Sequence, residues 1–286
     1  MFKGDFSNGP RVAMMTMMDA MITTLPVVHE TSGLLFLHKP PGLSFHASAE
    51  LGDPGILPLL RAERDERLHS VHRLDRVTSG LLMVAKNSDA AREVGRLLRE
   101  RRLHKYYVAL SARKPSKKMG RVSGDMERGR RGAWKLLRTS ENPAVTAFLS
   151  RGMPAGSEDE AGGSGRRAFL LKPQTGRTHQ LRVALKALSS PVLGDSLYAA
   201  AADAALEERA YLHAAALRLP AGLPALTDDP TSPIEVLCPP THGAHFTSDA
   251  FREVWAGWFD DPSARPAGGT WWSGTPVASS PIILEH

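Results

Sequence analysis

The stretch HRLDRVTSGLLMVAK, residues 72–86, joins a charged segment directly to an apolar run. The apolar part, 80–86, predicts a buried strand, since a short continuous apolar run is typical of strands covered on both faces. The charged part places one carboxylate, Asp75, among two arginines and a histidine in the loop before that strand. Nearby positive charge keeps an aspartate ionised and available as a base or nucleophile, although a structural ion pair would give the same pattern.

A second charged segment, GRTHQLR at 176–182, lies at a turn leading into a helix predicted over 178–188. Thr178 is the candidate N-cap of that helix. The backbone N–H groups at a helix start, together with Arg177 and Arg182, could hold a phosphate or a carboxylate. Exposed arginines at an ordinary helix start explain the segment equally well.

The rest of the chain mixes short strands irregularly with few helices, which predicts an α+β fold rather than a doubly wound sheet. Ser88 is the candidate cap of a helix that continues to about residue 102, and Ser248 the candidate cap of a last helix. Further strands are predicted at 33–38, 106–110, 168–172, 214–219 and 234–237. We expect 112–143 to be a long loop or small insertion, and the glycine-rich 152–165 to be a mobile connection.

Composition limits the class of protein. The chain has no run of 18 apolar residues, so we expect no membrane span. Its single cysteine, Cys238, cannot form an internal disulfide or a cysteine-based zinc site, and a cytoplasmic location is the default expectation. Residues 92–138 hold 16 Lys/Arg and 4 Asp/Glu, a net +12, so the rest carries −6 of the total +6. This concentration of positive charge predicts either a polyanionic partner or a solvated basic face.

Taken together, HRLDRVTSGLLMVAK and the later GRTHQLRVALKALSSPVLGDSLY (176–198) resemble the RluA-type pseudouridine synthases. Three shorter segments agree with that family in order: LFLHKPPG at 35–42, KYYVA at 105–109 and LHA at 212–214. The resemblance spans roughly 30–240. It implies a largely antiparallel mixed sheet flanked by helices and loops, and an isomerase that converts uridine in ribosomal or transfer RNA to pseudouridine without a metal or organic cofactor.

The resemblance also implies roles for individual residues. Asp75 matches the family's essential aspartate, Tyr107 the tyrosine that packs on the target base, and Arg182 the arginine that pairs with the aspartate. Leu212 matches an apolar residue beside the base. Arg73 and Arg76 are expected either to hold phosphates or to fill the gap left by a flipped base. Further candidate RNA-binding residues are Arg177, His179, Lys114, Lys117, Lys118 and Arg121.

The sequence predicts a flexible arm at 1–26, a catalytic domain at 27–260 and a tail rich in Pro, Gly and Ser at 261–286. Residues 284–286 resemble an expression-tag junction. The 38 residues before the Lys39-Pro-Pro-Gly42 turn are too few for the separate RNA-binding domain that many relatives carry. We therefore expect residues 92–138, the basic segment, to supply the RNA affinity, and we expect the protein to be a monomer.

Three other functions are compatible with single features of the sequence. An RNA-binding protein on the same fold that has lost catalysis is the main alternative, although the joint presence of Asp75, Tyr107 and Arg182 argues against it. A hydrolase would use Ser79 with a histidine, but the chain lacks the Gly-x-Ser-x-Gly motif. A metal enzyme would use His242 and His245, but no paired acidic ligands accompany them.

Overall fold

The computed structural model of the chain describes residues 25–48, 52–64, 67–154 and 165–260. Its strands are β1 (Val27–Glu30), β2 (Leu34–Lys39), β3 (His69–Ser70), β4 (Ser79–Ala85), β5 (His104–Ser111), β6 (Met119–Gly124), β7 (Met126–Arg128), β8 (Trp134–Leu136), β9 (Ala144–Gly152), β10 (Arg167–Pro173), β11 (Leu212–Leu219) and β12 (Ile234–Leu237). Its α-helices are α1 (Ile56–Arg64), α2 (Ser88–Arg99), α3 (Gln180–Ala187), α4 (Ala201–Ala205) and α5 (Asp249–Trp255).

Ten strands form one sheet in the order β1-β2-β4-β11-β5-β10-β9-β6, with β3 pairing with β4 and β12 with β11. The β4–β11 pair is parallel, whereas the other pairs within the described residues are antiparallel. The predicted α+β class is therefore confirmed. Because parallel strands begin at the same edge of a sheet, the loop before β4 lies beside the start of β11, and this brings Asp75 close to Leu212.

Apolar side chains cover both faces of the sheet. β4 is buried along its whole length, as its unbroken apolar run predicts. Helix α2 contributes Ala90, Val94 and Leu97 to the core on one face. The core on the other face is rich in aromatic residues from the last helical segment and the turn before it, namely Phe246, Phe251, Trp255, Trp258 and Phe259.

The helix starts differ in part from the sequence predictions. Ser248 caps α5, accepting a hydrogen bond from Phe251 N at 3.3 Å, as predicted. Asn87 rather than Ser88 caps α2, because its side chain reaches Ala90 N at 2.9 Å. Helix α3 begins at Gln180, so the start predicted at Thr178 was wrong. The chain first turns through His179, whose φ of +57° lies outside the helical region.

The expectation that 112–143 is a long loop or a small insertion was wrong in part, because the segment contains three strands. Strand β6 pairs with β9 from Met119 to Gly124, and β7 and β8 form a separate hairpin. The inward positions of β6 are Gly120, Val122 and Gly124, so a single apolar side chain marks its buried face. The outward positions are Met119, Arg121 and Ser123, and the charge of Arg121 suits a strand at the edge of a sheet, where it opposes pairing with other chains.

The predicted arm and tail lie outside the described residues, except for Leu25 and Pro26. Leu25 is buried in the core, and Pro26 O accepts a hydrogen bond from His38 N at 2.9 Å. Most of the connection predicted to be mobile, 155–164, is likewise outside the described part. None of the described helices has the length and hydropathy needed to cross a membrane.

Replacement of Gly80 by alanine tests the close approach of β4 and β11. Gly80 has a φ of +103°, and a Cβ atom there would lie 2.3 Å from Ala214 O. We expect Gly80→Ala to lower the free energy of unfolding by about 3 kcal/mol or more, because backbone strain and overpacking act together. Gly222 is the control, because its φ is +84° but a Cβ atom there would meet nothing within 4 Å. Gly222→Ala should therefore lower the free energy of unfolding by about 1–2 kcal/mol, from backbone strain alone. Equal losses in urea unfolding would contradict a special constraint at Gly80.

Candidate active site

A cavity of about 540 Å³ opens at the edge of the sheet where β4 and β11 begin. Its volume lies within the range of small-molecule sites. Its walls come from the loop before β4, the first residues of β5 and β11, and the turn between β10 and α3. Six of the residues predicted from the sequence line it: Arg73, Asp75, Tyr107, Arg177, His179 and Leu212.

A smaller cavity of about 360 Å³ lies on the other side of the Asp75 loop. Residues 44–48 form one wall, and Arg76 and Arg182 contribute to the remainder. Arg73, Leu74, Asp75 and His179 line both cavities. The carboxylate of Asp75 therefore stands between two spaces, and its side chain is 20% exposed.

Arg182 is buried in α3 and is shared by two carboxylates. Its Nε and Nη2 atoms donate to the two oxygens of Asp195 at 2.7 and 2.8 Å. Its Nη1 atom contacts Asp75 Oδ2 at 3.4 Å, a longer and single interaction. The contact across 107 residues confirms that Arg182 lies within reach of Asp75, but Asp195 binds the arginine more closely.

The electrostatics of Arg182 follow from this arrangement. Burial alone would lower its pKa, but the hydrogen bonds and charge of Asp195, and then the charge of Asp75, raise the pKa above its usual value. A guanidinium held by a bidentate pair has a fixed orientation, because both in-plane hydrogen bonds must be kept. The arginine therefore presents a permanent positive charge to Asp75 from one direction.

Tyr198 supports the same guanidinium from its face. The Cζ atom of Arg182 lies 4.9 Å from the centre of the Tyr198 ring, within cation–π distance. Trp134 N, at the start of β8, donates to the Tyr198 hydroxyl at 2.9 Å, and His179 Nδ1 lies 2.9 Å from the same oxygen. The β7–β8 hairpin is thus attached directly to the residues around Asp75.

Tyr107 and Leu212 form an apolar wall of the larger cavity. Tyr107 pairs with Leu171 on one side and Ala214 on the other, so neighbouring strands fix its position. Burial, with the nearby charge of Asp75, raises the pKa of Tyr107 well above its usual value, and the phenol stays protonated. An aromatic ring and a leucine at 2% exposure can hold a flat ligand that is taken out of water.

The Lys39-Pro-Pro-Gly42 turn holds the loop that carries Asp75. Lys39 Nζ and Gly42 N both donate to Arg76 O, at 3.2 and 2.7 Å. Lys39 is fully buried, and burial lowers its pKa to about 7, with the charge of Asp75 opposing the shift. The turn therefore fixes the residue next to Asp75 through backbone contacts.

The predicted RNA-binding residues fall into two groups. Arg73 and Arg177 are exposed at the larger cavity, although Arg177 also bonds to Asn142 Oδ1. The guanidinium of Arg76 donates to Gly42 O at 2.9 Å and lines the smaller cavity. The second group lines neither cavity and lies on or just before β6: Lys114, Lys117 and Lys118, which are exposed, and Arg121, which is partly exposed.

The suggestion that Arg177, Arg182 and free N–H groups form a phosphate site needs correction. Gln180 Oε1 accepts from Arg177 N at 2.9 Å, so that N–H group already has a partner. Arg182 is buried and binds two carboxylates of the protein itself. The segment instead contributes one exposed arginine at the cavity mouth and one buried arginine that holds Asp75.

Ser79 and a histidine do meet, but away from the cavities. Ser79 Oγ lies 2.8 Å from His213 Nδ1, and both residues are fully buried. Arg209 donates to the same Ser79 hydroxyl, and His213 Nε2 contacts Cys238 O at 2.7 Å. This buried chain of hydrogen bonds offers no space for a substrate, so the geometry does not favour a hydrolase.

Among the described residues, one group has donor atoms close enough to hold a metal: His38, His213 and Cys238, within 4.8 Å of one another. Both ring nitrogens of His213 already have hydrogen-bond partners. Burial raises the pKa of the Cys238 thiol to about 12, which disfavours the thiolate that a metal requires. His245, suggested from sequence, instead contacts Glu207 at 3.1 Å.

Asp195 and Tyr198 are site residues that the sequence did not single out. Both lie in the GDSLY end of the second long motif, which carried the resemblance without a role for either residue. Their position in that motif was the sequence signal that could have identified them as site residues. Their contacts with Arg182 arise only in the folded chain, where the segment after α3 folds back against the helix.

Asp195 and Asp75, the two carboxylates that contact Arg182, should contribute unequally to stability. We expect Asp195→Asn to lower the free energy of unfolding by about 3–5 kcal/mol, because it leaves a buried charge without its bidentate partner. Asp75→Asn removes one longer contact of a partly exposed group and should lower it by less than about 1 kcal/mol. Urea unfolding of both variants measures the difference. Similar losses would show that Asp195 is not the main partner of Arg182.

Comparison with known proteins agrees with this site. The sequence profile of the RNA pseudouridylate synthase family matches residues 33–187. An uncharacterized RNA pseudouridine synthase of Haemophilus influenzae is 41% identical over 220 residues, covering 77% of this chain and 89% of that protein. The dual-specificity RNA pseudouridine synthase RluA of Escherichia coli is 34% identical over 205 residues, covering 68% of this chain and 86% of that protein.

A solved structure resembles the fold as well. Human RNA pseudouridylate synthase domain containing 1 superimposes with a TM-score of 0.59 at 30% identity, covering 77% of this chain and 84% of that one. Human RNA pseudouridylate synthase domain containing 4 gives a TM-score of 0.60 at 24% identity and supports the fold alone. Because the family profile covers more than half of the sequence and the curated relatives match over most of their length, the chain belongs to the RNA pseudouridylate synthase family, and to its RluA type.

Proposed function

We propose that this protein converts uridine to pseudouridine in RNA, with Asp75 as the catalytic carboxylate. The observation that carries the proposal is the position of Asp75: it is partly exposed between two cavities and faces a guanidinium that other residues hold in place. A carboxylate beside a fixed positive charge remains ionised in a site that otherwise disfavours charge. Family membership supplies the reaction, and the geometry supports the choice of residue.

The reaction is an isomerisation. The N1–C1′ bond of uridine breaks, the uracil turns, and C5 bonds to C1′. C5 then loses its proton and N1 gains one, so the product is an isomer of the substrate and no oxidant is needed. An ionised carboxylate can serve this reaction by attacking the sugar or the base, or by removing a ribose proton. Each of these roles requires Asp75 to be charged and to face the bound nucleoside.

The apolar wall of the cavity suits a flipped base. A uridine in folded RNA hides its glycosidic bond, so the enzyme must turn the nucleotide outward. Stacking on Tyr107 and packing against Leu212 would replace part of the base stacking lost in the RNA. Because the raised pKa keeps the Tyr107 phenol protonated, the role proposed for Tyr107 is stacking on the base and not removal of the C5 proton. Arg73 and Arg76, on either side of Asp75, would hold phosphates or fill the vacated position in the RNA.

Replacement of Asp75 tests the catalytic assignment. We expect Asp75→Asn to reduce tritium release from RNA containing [5-³H]uridine by at least about a hundredfold, because the amide cannot act as nucleophile or base. RNA binding should be nearly unchanged, since the two side chains are almost isosteric. Asp228→Asn, at an exposed aspartate outside both cavities, is the matched control and should retain wild-type release. Release within tenfold of wild type by Asp75→Asn would refute the assignment.

We further propose that the substrate is structured ribosomal or transfer RNA, modified by a monomer in the cytoplasm. The net charge of +12 in residues 92–138 and the family relationship support an RNA substrate. Mapping pseudouridines in ribosomal and transfer RNA from cells with and without the gene would identify the position. If cells without the gene kept every pseudouridine in both ribosomal and transfer RNA, this substrate assignment would be contradicted.

The basic segment is the proposed RNA-facing surface. It includes α2, β6 and the β7–β8 hairpin, whose turn carries the exposed Arg130 and Arg131. Trp134, at the end of the hairpin next to this turn, donates a hydrogen bond to Tyr198, which packs on Arg182, so this surface continues into the active site. Lysine and arginine side chains next to a cavity that must receive a flipped nucleotide suit the phosphates of the flanking RNA.

Salt dependence tests this surface. Each phosphate contact on a single strand contributes a slope of about −0.7 to log K against log salt. We expect simultaneous replacement of Lys114, Lys117, Lys118 and Arg121 by glutamine to reduce that slope and raise KM while the chemical rate constant stays unchanged. The control carries Lys86→Gln and Arg252→Gln, which remove charge outside the segment. An unchanged slope in the fourfold variant would reject this surface.

A further inference from the structure

Lys105 faces the larger cavity from the same strand as Tyr107. The two residues are two positions apart on β5, so their side chains leave the sheet on the same face, roughly 6.6 Å apart along the strand. Both line the cavity, and Lys105 is partly buried. A ligand that stacks on Tyr107 would therefore place its neighbouring groups near the Lys105 ammonium.

Among the described residues, no carboxylate forms an ion pair with Lys105. Asp75 is the only described carboxylate that lines the cavity. The nearby His72 accepts a hydrogen bond from Met83 N through Nε2 at 2.8 Å. Burial, and then the charge of Lys105, lowers the pKa of His72 to about 3, so the imidazole is neutral.

The Lys105 ammonium lies beside the turn before α3, where a Cβ atom at Gly176 would be 3.9 Å from Lys105 Nζ. Burial lowers the pKa of this ammonium. Gly176 and the following Arg177 are exposed, so this end of the cavity opens to solvent.

A partly buried ammonium without a carboxylate partner is unfavourable in the empty protein. An anion that enters the cavity removes this penalty, and a phosphate is the anion that an RNA substrate brings. The base has its own apolar wall at Tyr107 and Leu212. We infer that Lys105 binds the phosphodiester group adjacent to the target uridine, at the open end of the cavity beside Gly176. This inference rests on the proposed function, because it assumes that uridine in RNA occupies the site.

The defined probe is the dinucleoside phosphate UpU, compared with its uncharged methylphosphonate analogue and with uridine. We expect Lys105→Met to weaken binding of UpU by about tenfold or more, which corresponds to about 1.4 kcal/mol. Binding of uridine and of the methylphosphonate should change less than twofold. Lys105→Arg keeps the charge and should retain most of the affinity. Lys86→Met is the control, because Lys86 pairs with Glu30 outside the cavity.

Each result decides between roles of Lys105. Equal weakening of UpU and uridine by Lys105→Met would mean that the lysine contacts the base or ribose, and would overturn the inference. No preference of the wild-type protein for UpU over the methylphosphonate would overturn it as well. Lys105→Gln provides a second neutral variant if the methionine variant does not fold. Failure of the proposed function would appear separately, as absence of tritium release from RNA by a wild-type protein that still prefers the charged dinucleotide.

Discussion

The bidentate ion pair between Arg182 and Asp195 is the interaction on which the site depends. It joins α3 to the segment that follows this helix, and it fixes an arginine that would otherwise be a buried cation without a partner. Its remaining donor reaches Asp75 across the cavity wall. Tyr198 adds an aromatic surface beneath the guanidinium and connects it to the β7–β8 hairpin. A single arginine therefore unites three segments that are distant in sequence.

The sheet supplies the second constraint. The parallel pairing of β4 with β11 brings the loop before one strand beside the first residue of the other. The Lys39-Pro-Pro-Gly42 turn at the end of β2 then holds this loop through Arg76 O. Loop residues that carry chemistry need such rigid support, since catalysis depends on accurate placement of the reacting groups. The cavity thus contains the carboxylate of Asp75 on this supported loop and the ammonium of Lys105 on β5.

Much of the fold was accessible from sequence, because continuous apolar runs such as 80–86 can only be buried. Strand β6 could not be predicted from the sequence, because its inward face carries two glycines and only Val122 as an apolar side chain. Likewise, Asn87 and Ser88 are both good caps, and only the backbone geometry shows that Asn87 is used. Local patterns do not distinguish such cases.

The candidate site was predictable to the extent that motifs matched a known family. Asp75, Tyr107, Leu212 and Arg182 meet around the two cavities as the resemblance implied. Two features were not predictable: the closer partner of Arg182, and the fact that none of the described carboxylates forms an ion pair with Lys105. Both depend on contacts between residues far apart in sequence. Such contacts are properties of the folded chain.

The most direct test of the account is the single-turnover rate constant of Asp195→Asn on RNA containing [5-³H]uridine at saturating protein. The rate constant should be measured at a temperature at which near-ultraviolet circular dichroism shows that the variant is folded. If Asp195 positions Arg182 for Asp75, the rate constant falls at least about tenfold while RNA affinity stays unchanged, since small displacements of reacting groups have large effects on rate. A folded variant with the wild-type rate constant would contradict the central role of this ion pair.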